Sequence, residues 1–122
     1  MVNMMKALVF TAPHTFEYRD VPRPEPAPDE VLVEVKACAI CGSDVHGSSG
    51  ENGRRIPPLV MGHEASGTIA QLGEAVQSWA VGDRVTFDST VYCGKCWYCR
   101  RGMVNLCEDP TGCTTSAHSA AS

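Results

Sequence analysis

Apolar residues recur along the first two-thirds of the chain in short runs separated by turn-forming residues. Met5 to Phe10 is a compact apolar run, which predicts a buried strand. Phe16-Glu17-Tyr18-Arg19 alternates apolar and charged side chains, the pattern of a half-buried strand. The strongest signal runs from Glu30 to Ile40, with Val31, Val33, Val35 and Ala37 on one face and Glu34 and Lys36 on the other. Thr68 to Leu72 and Arg84 to Phe87 read as further strands, with Gly73 and Gly82-Asp83 as turns between them. Pro22, Pro24, Pro26 and Pro28 fall on alternate positions, which rules out a helix or central strand and predicts an extended connector. Short helical pieces are expected from Gly42 to Gly47 and from Tyr98 to Val104. No internal repeat is present, and Asp109 to Ser122 is a Thr-, Ser- and Ala-rich stretch expected to lack structure. The pattern as a whole predicts a mainly β protein, a barrel or a sandwich.

Composition narrows the class. The 122 residues suffice for one domain with a modest core, and 43% apolar with 20% charged residues describes a soluble globular chain. A net charge of −4 argues against a nucleic-acid module, which carries a basic face. Ala7 to Phe10 is broken at once by Thr11, Pro13 and His14, too soon for a signal-peptide core or a membrane span. Seven cysteines cannot all pair, so reduced thiols in a cytoplasmic protein are the expectation, and clustered reduced thiols point to metal.

The cysteines are indeed clustered. Cys93, Cys96, Cys99 and Cys107 follow C-x2-C-x2-C-x7-C, spacing that lets four thiolates converge on a tetrahedral structural zinc. Gly94 and Gly102 give the chain the freedom to turn around such an ion. The alternative is a set of disulfides or unrelated buried thiols, although three cysteines in a row cannot all pair locally. Lys95, Arg100 and Arg101 in the same stretch either balance thiolate charge or are solvated surface cations.

A second constellation follows the strongest strand. Cys41-Gly42-Ser43-Asp44-Val45-His46 is followed about twenty residues later by Gly62-His63-Glu64. Together they offer a thiolate, an imidazole and a carboxylate, the donors of a zinc site that keeps a position open for substrate. Asp44 is suited to accept the second ring hydrogen of a ligating His63, fixing its tautomer. Ser43 and His46 carry exchangeable protons and suit a relay between a bound oxygen and solvent. The competing readings are a satisfied His–Glu pair, and for Ser43 a helix N-cap. Gly47 to Arg55 carries no periodicity.

These residues resemble a known family. Gly62-His63-Glu64-Ala65-Ser66-Gly67, then Gly73, then Val76, satisfies the signature G-H-E-x2-G-x5-G-x2-V. With the Cys41-Gly42-Ser43-Asp44 turn and the four-cysteine lobe in the same order, the chain from about Met5 to Cys107 resembles the zinc-dependent medium-chain alcohol and polyol dehydrogenases. The nearest branch is that of sorbitol (L-iditol) and threonine dehydrogenases. The resemblance implies a GroES-like β-barrel with short helices and a zinc-binding cysteine lobe. Its incomplete catalytic domain would occupy residues 1–108, with a tail over 109–122.

The resemblance also implies roles. Cys93, Cys96, Cys99 and Cys107 would hold structural Zn2+, and Cys41 and His63 catalytic Zn2+. Glu64 matches a residue that ligates in some members and stands behind the metal in others. Ser43 and His46 match the proton relay. The cation would stabilise an alkoxide as it lowers the pKa of bound water from ~15.7 to about 7. At ~1.36 kcal/mol per unit such a shift is on the order of 12 kcal/mol. Hydride would then pass to NAD or NADP. That cofactor is bound in the family by a separate Rossmann domain, whereas this chain has no G-x-G-x-x-G. The chain therefore reads as truncated, its third catalytic ligand lying further downstream, with Cys113 and His118 as stand-ins in the tail. Expected partners are a small-molecule alcohol or polyol and either a second copy or a complementing Rossmann-containing chain, with no nucleic acid and no membrane. The alternative function is a non-catalytic zinc-binding fragment or interaction module.

Overall fold

The computed structural model describes residues 3–51, 53, 55–89 and 91–108. In chain order the elements are β1 (Met4–Ala12), β2 (Thr15–Pro22), β3 (Val31–Ala39), α1 (Gly42–Gly47), β4 (Leu59–Val60), β5 (Glu64–Leu72) and β6 (Arg84–Thr86), followed by two short 3-10 turns. The protein is thus mainly β with one short helix. The tail 109–122, with Cys113 and His118, lies outside the described residues. Residues through Phe87 form one compact unit and residues from Asp88 a second. No helix among the described residues is long and apolar enough to cross a membrane.

The first unit holds two three-stranded antiparallel sheets, ordered β2-β1-β4 and β3-β5-β6. In the first sheet Ala7 and Val9 of β1 pack with Val21 of β2, and Met5 and Val60 flank them. Phe10 is buried as well as its neighbour Val9, and the register shift of the hairpin follows it, between Phe10 and Ala12. Its ring stands 5.4 Å from that of Phe16 across the hairpin. Burying Phe10 and Ile69 contributes about 1.5–3 kcal/mol each. β2 is more exposed than its alternation predicts, with only Val21 buried. It is an edge strand, and Lys6–Asp20 at 2.7 Å and Arg19–Glu17 at 3.4 Å line it with charge.

β3 is the long strand predicted, and the one-face reading of its residues is corrected only at Ala37. Its pairing with β5 slips between Leu32 and Val33 and again between Val35 and Ala37. The first slip leaves out Ala70 on β5 and the second Lys36 on β3, so Val31, Val33 and Val35 keep one face and Ala37 leaves it, while Val35 itself is 54% exposed. β5 keeps its period, burying Ala65, Gly67 and Ile69. Two glycines of the signature are explained here by close approach. A Cβ on Gly67 would run into the Glu34 carbonyl, and one on Gly73 into the carbonyls of Ala27 and Pro28. Gly73 N–H donates to Glu30 and Ala75 N–H to Pro28, tying the proline connector to the end of β5. That connector is free of helix and strand from 23 to 27, as the alternating prolines require.

Candidate metal centres

The pairing of β3 with β5 assembles the first site. Ala39, near the exit of β3, lies opposite Glu64, the first residue of β5. That register brings Cys41, just past β3, beside His63, just before β5. Gly62 has φ of 121°, a conformation side chains resist, and a Cβ there would lie 3.0 Å from Cys38 Sγ. Glycine therefore has to precede the His-Glu pair. Donor atoms of Cys41, His63 and Glu64 all lie within 4.8 Å of one another, Cys41 and His63 half-buried and Glu64 exposed.

Cys41 is the N-cap of α1, in extended conformation, and Asp44 one turn on closes the helix start. The Cys41 N–H donates to Asp44 Oδ2 at 3.2 Å, and the Asp44 N–H to the Cys41 carbonyl at 3.0 Å. Ser43 is therefore inside the helix, not its cap. Its Oγ lies 3.3 Å from His63 Nε2. The other ring nitrogen, Nδ1, stands 3.3 Å from Asp44 Oδ1, is buried, and has no hydrogen-bond partner among the described residues. His46 lies exposed on α1 and is not among the converging donors. A residue without any signal in the sequence also enters. Arg55 Nη2 lies 3.4 Å from Asp44 Oδ1, both side chains being nearly enclosed. Its approach depends on a long-range contact from an aperiodic loop, which spacing rules do not register.

The second site lies in the unit beginning at Asp88. Donor atoms of Cys93, Cys96, Cys99 and Cys107 lie within 4.8 Å of one another, and no described cysteine forms a disulfide. Sulfurs on a tetrahedral ion with bonds of ~2.3 Å sit about 3.8 Å apart. Cys93 Sγ and Cys99 Sγ are 4.0 Å apart. Backbone N–H groups already point at the sulfurs: Cys96 to Cys93 at 3.3 Å, Cys99 to Cys96 at 3.4 Å and Cys93 to Cys107 at 3.3 Å. The expected helix from Tyr98 to Val104 is corrected to two 3-10 turns, Cys99–Arg101 and Val104–Leu106, because Gly102 turns left-handed with φ of 77° between them. Arg101 lies 3.7 Å over the Trp97 ring, which makes it a stacking cation.

Charge in the lobe is unevenly held. Backbone N–H groups of Glu108 and Cys99 pull the Cys96 thiol down from 9.0 to about 6. Burial pushes Cys99 up to about 12, reinforced by its hydrogen bond with Cys96. A divalent cation is what would let the set ionise together. Both donor sets fit zinc: four sulfurs close a structural site, and sulfur, imidazole and carboxylate make an open one.

Residues 27–121 match the family model described as the alcohol dehydrogenase GroES-like domain. The chain is 46% identical over 116 residues to an L-threonine 3-dehydrogenase of Rhizobium etli, covering 92% of this chain and 34% of that protein. The chain thus spans about a third of the length of such curated relatives. A cobalt- and zinc-bound thermostable alcohol dehydrogenase from Pyrobaculum aerophilum superposes with a TM-score of 0.83 at 28% identity, over 90% of this chain and 34% of that one. An alcohol dehydrogenase from E. coli CFT073 complexed with NADH gives 0.76 at 40% identity, over 85% and 30%.

Proposed function

The chain belongs to the alcohol dehydrogenase GroES-like domain family, and from that premise we propose that it is the catalytic-domain portion of a zinc-dependent oxidoreductase oxidising a secondary alcohol with NAD or NADP. The observation that carries this reading is the convergence of Cys41, His63 and Glu64 within 4.8 Å, with the Ser43 hydroxyl 3.3 Å from His63 Nε2. Bound there, zinc supplies Lewis-acid polarisation of a substrate oxygen. Cys41, His63 and Glu64 would hold it, and Asp44 would orient His63. The Ser43 hydroxyl would take the substrate proton and pass it toward the exposed imidazole of His46, later on the same helix. The four-cysteine lobe would hold a second, purely structural zinc.

Similarity to L-threonine 3-dehydrogenases favours a β-hydroxy amino acid over a polyol such as sorbitol as the alcohol. The chain has no G-x-G-x-x-G, so the nicotinamide would be held by the remainder of a longer dehydrogenase or by a complementing chain. Residues 1–108 would form the GroES-like portion. The family match running to residue 121 favours counting most of the 109–122 tail with it. Cobalt substitution tests the reading. L-Threonine added to the cobalt-loaded chain should shift the d–d band of the Cys–His–Glu site, and sorbitol should do so less. A second site that takes cobalt but is blind to every alcohol would refute it, and cobalt in the lobe alone would favour a non-catalytic zinc module.

A further inference from the structure

Resting on the metal-site reading above, we propose that Arg55 is a positioning residue for that site, acting on it through Asp44. Asp44 is the hub of three contacts: Oδ2 accepts the Cys41 N–H at 3.2 Å, while Oδ1 faces both His63 Nδ1 at 3.3 Å and Arg55 Nη2 at 3.4 Å. A carboxylate in that place touches the backbone of one candidate ligand and the ring of another. Its orientation sets both. Only 12% of the Asp44 side-chain surface and 13% of that of Arg55 is exposed, so the restraint on the carboxylate comes mainly from protein groups.

The fold makes room for this arginine. Gly47 ends α1 and is buried, and a Cβ built on it would come within 2.5 Å of Arg55 Cγ and 3.2 Å of Nε. The aliphatic stem of Arg55 thus lies across the only residue type that admits it, and the guanidinium reaches Asp44 Oδ1 at 3.4 Å. Charge fits as well. A thiolate at Cys41 and carboxylates at Glu64 and Asp44 carry three negative charges, which a divalent cation and one guanidinium balance. Arg55 supplies the balance from outside the ligand set, where it does not compete for the metal.

Cobalt(II) titration of the reduced full chain provides the test, because the all-sulfur lobe and the mixed Cys–His–Glu site give different spectra in one sample. Arg55→Met should weaken cobalt at the mixed site by about tenfold, the lower end of the range for partners of metal-ligating side chains. The lobe's affinity and the amide spectrum of β1 and β2 should not change. Arg55→Lys should stay within about threefold of the parent, since the Asp44 carboxylate receives one N–O contact from Arg55 and not a fork. Gly47→Ala leaves every charge in place and should reproduce the loss by lifting the stem. Parent-like affinity in Arg55→Met would overturn the proposal while leaving the metal site standing. So would losses that spread to the β1–β2 amides, which would make Arg55 merely structural. A parent chain that takes cobalt only in the lobe would overturn both the proposal and the site reading beneath it.

Discussion

Replacing Asp44 by asparagine keeps the size of the side chain and removes the symmetry that its three contacts need. Oδ2 accepts from the Cys41 N–H, and Oδ1 faces two further donors, Arg55 Nη2 and His63 Nδ1. An amide has one oxygen and one NH2. If its oxygen takes the Oδ1 place, the NH2 meets the Cys41 N–H at about the present 3.2 Å, donor against donor. A buried donor left unpaired costs about 1–3 kcal/mol. If the NH2 takes the Oδ1 place instead, it repels Arg55 and pairs with His63 Nδ1 only when that nitrogen has lost its hydrogen. The ring proton then moves to Nε2, the atom that would bind metal. Either orientation weakens the Cys41–His63–Glu64 site. The loss of 1–3 kcal/mol corresponds to about 5- to 150-fold in affinity, which spans the 10–100-fold typical of partners that orient metal-ligating side chains. The assay is zinc competition against cobalt, read at the mixed-site band with the lobe as internal reference. Unchanged affinity in Asp44→Asn would refute the role of Asp44 as hub.

Two further predictions concern the lobe and the core. Cys96 has a folded pKa of about 6 against 9.0 unfolded, so its contribution is fully present above pH 9 and is lost as pH falls through 6. Cys99 acts oppositely, since the unfolded thiol ionises above 9.0 while the folded one keeps its proton to about 12. The metal-free lobe should therefore resist proteolysis best near pH 9, in chelator and reductant, and a resistance that rises steadily through pH 11 would contradict this sign. In the core, Phe10→Ala removes a fully buried ring and should cost about 3–5 kcal/mol in urea unfolding of the β-sheet unit. A loss below about 1 kcal/mol would mean that the Phe10–Phe16 hairpin does not carry the core.

Much of this architecture is legible in the sequence. The apolar run from Met5 predicted β1, the proline alternation predicted the connector, and the spacing of four cysteines predicted a closed sulfur cluster. Local signals did this work, because strand period, proline geometry and cysteine spacing act within a few residues. The misses are of another kind. β4 is only Leu59–Val60 and exists because β1 offers Val9 and Phe10 as pairing partners. The slips in β3 are a property of its pairing with β5, and no one-strand pattern encodes them. The split of Tyr98–Val104 into two turns was signalled by Gly102 alone. At the metal centre, ligand types were readable, whereas the hub role of Asp44 and the approach of Arg55 over Gly47 emerge only from tertiary contacts.

Metal content by elemental analysis under reducing conditions, compared among the parent chain, Cys41→Ser and Cys96→Ser, probes the whole account most directly. Two zinc ions are expected for the parent chain. Cys41→Ser should lose the ion of the open site and keep the lobe's, and Cys96→Ser should do the reverse. A parent chain that emerges metal-free, or a Cys41→Ser variant that retains both ions, would contradict the assignment.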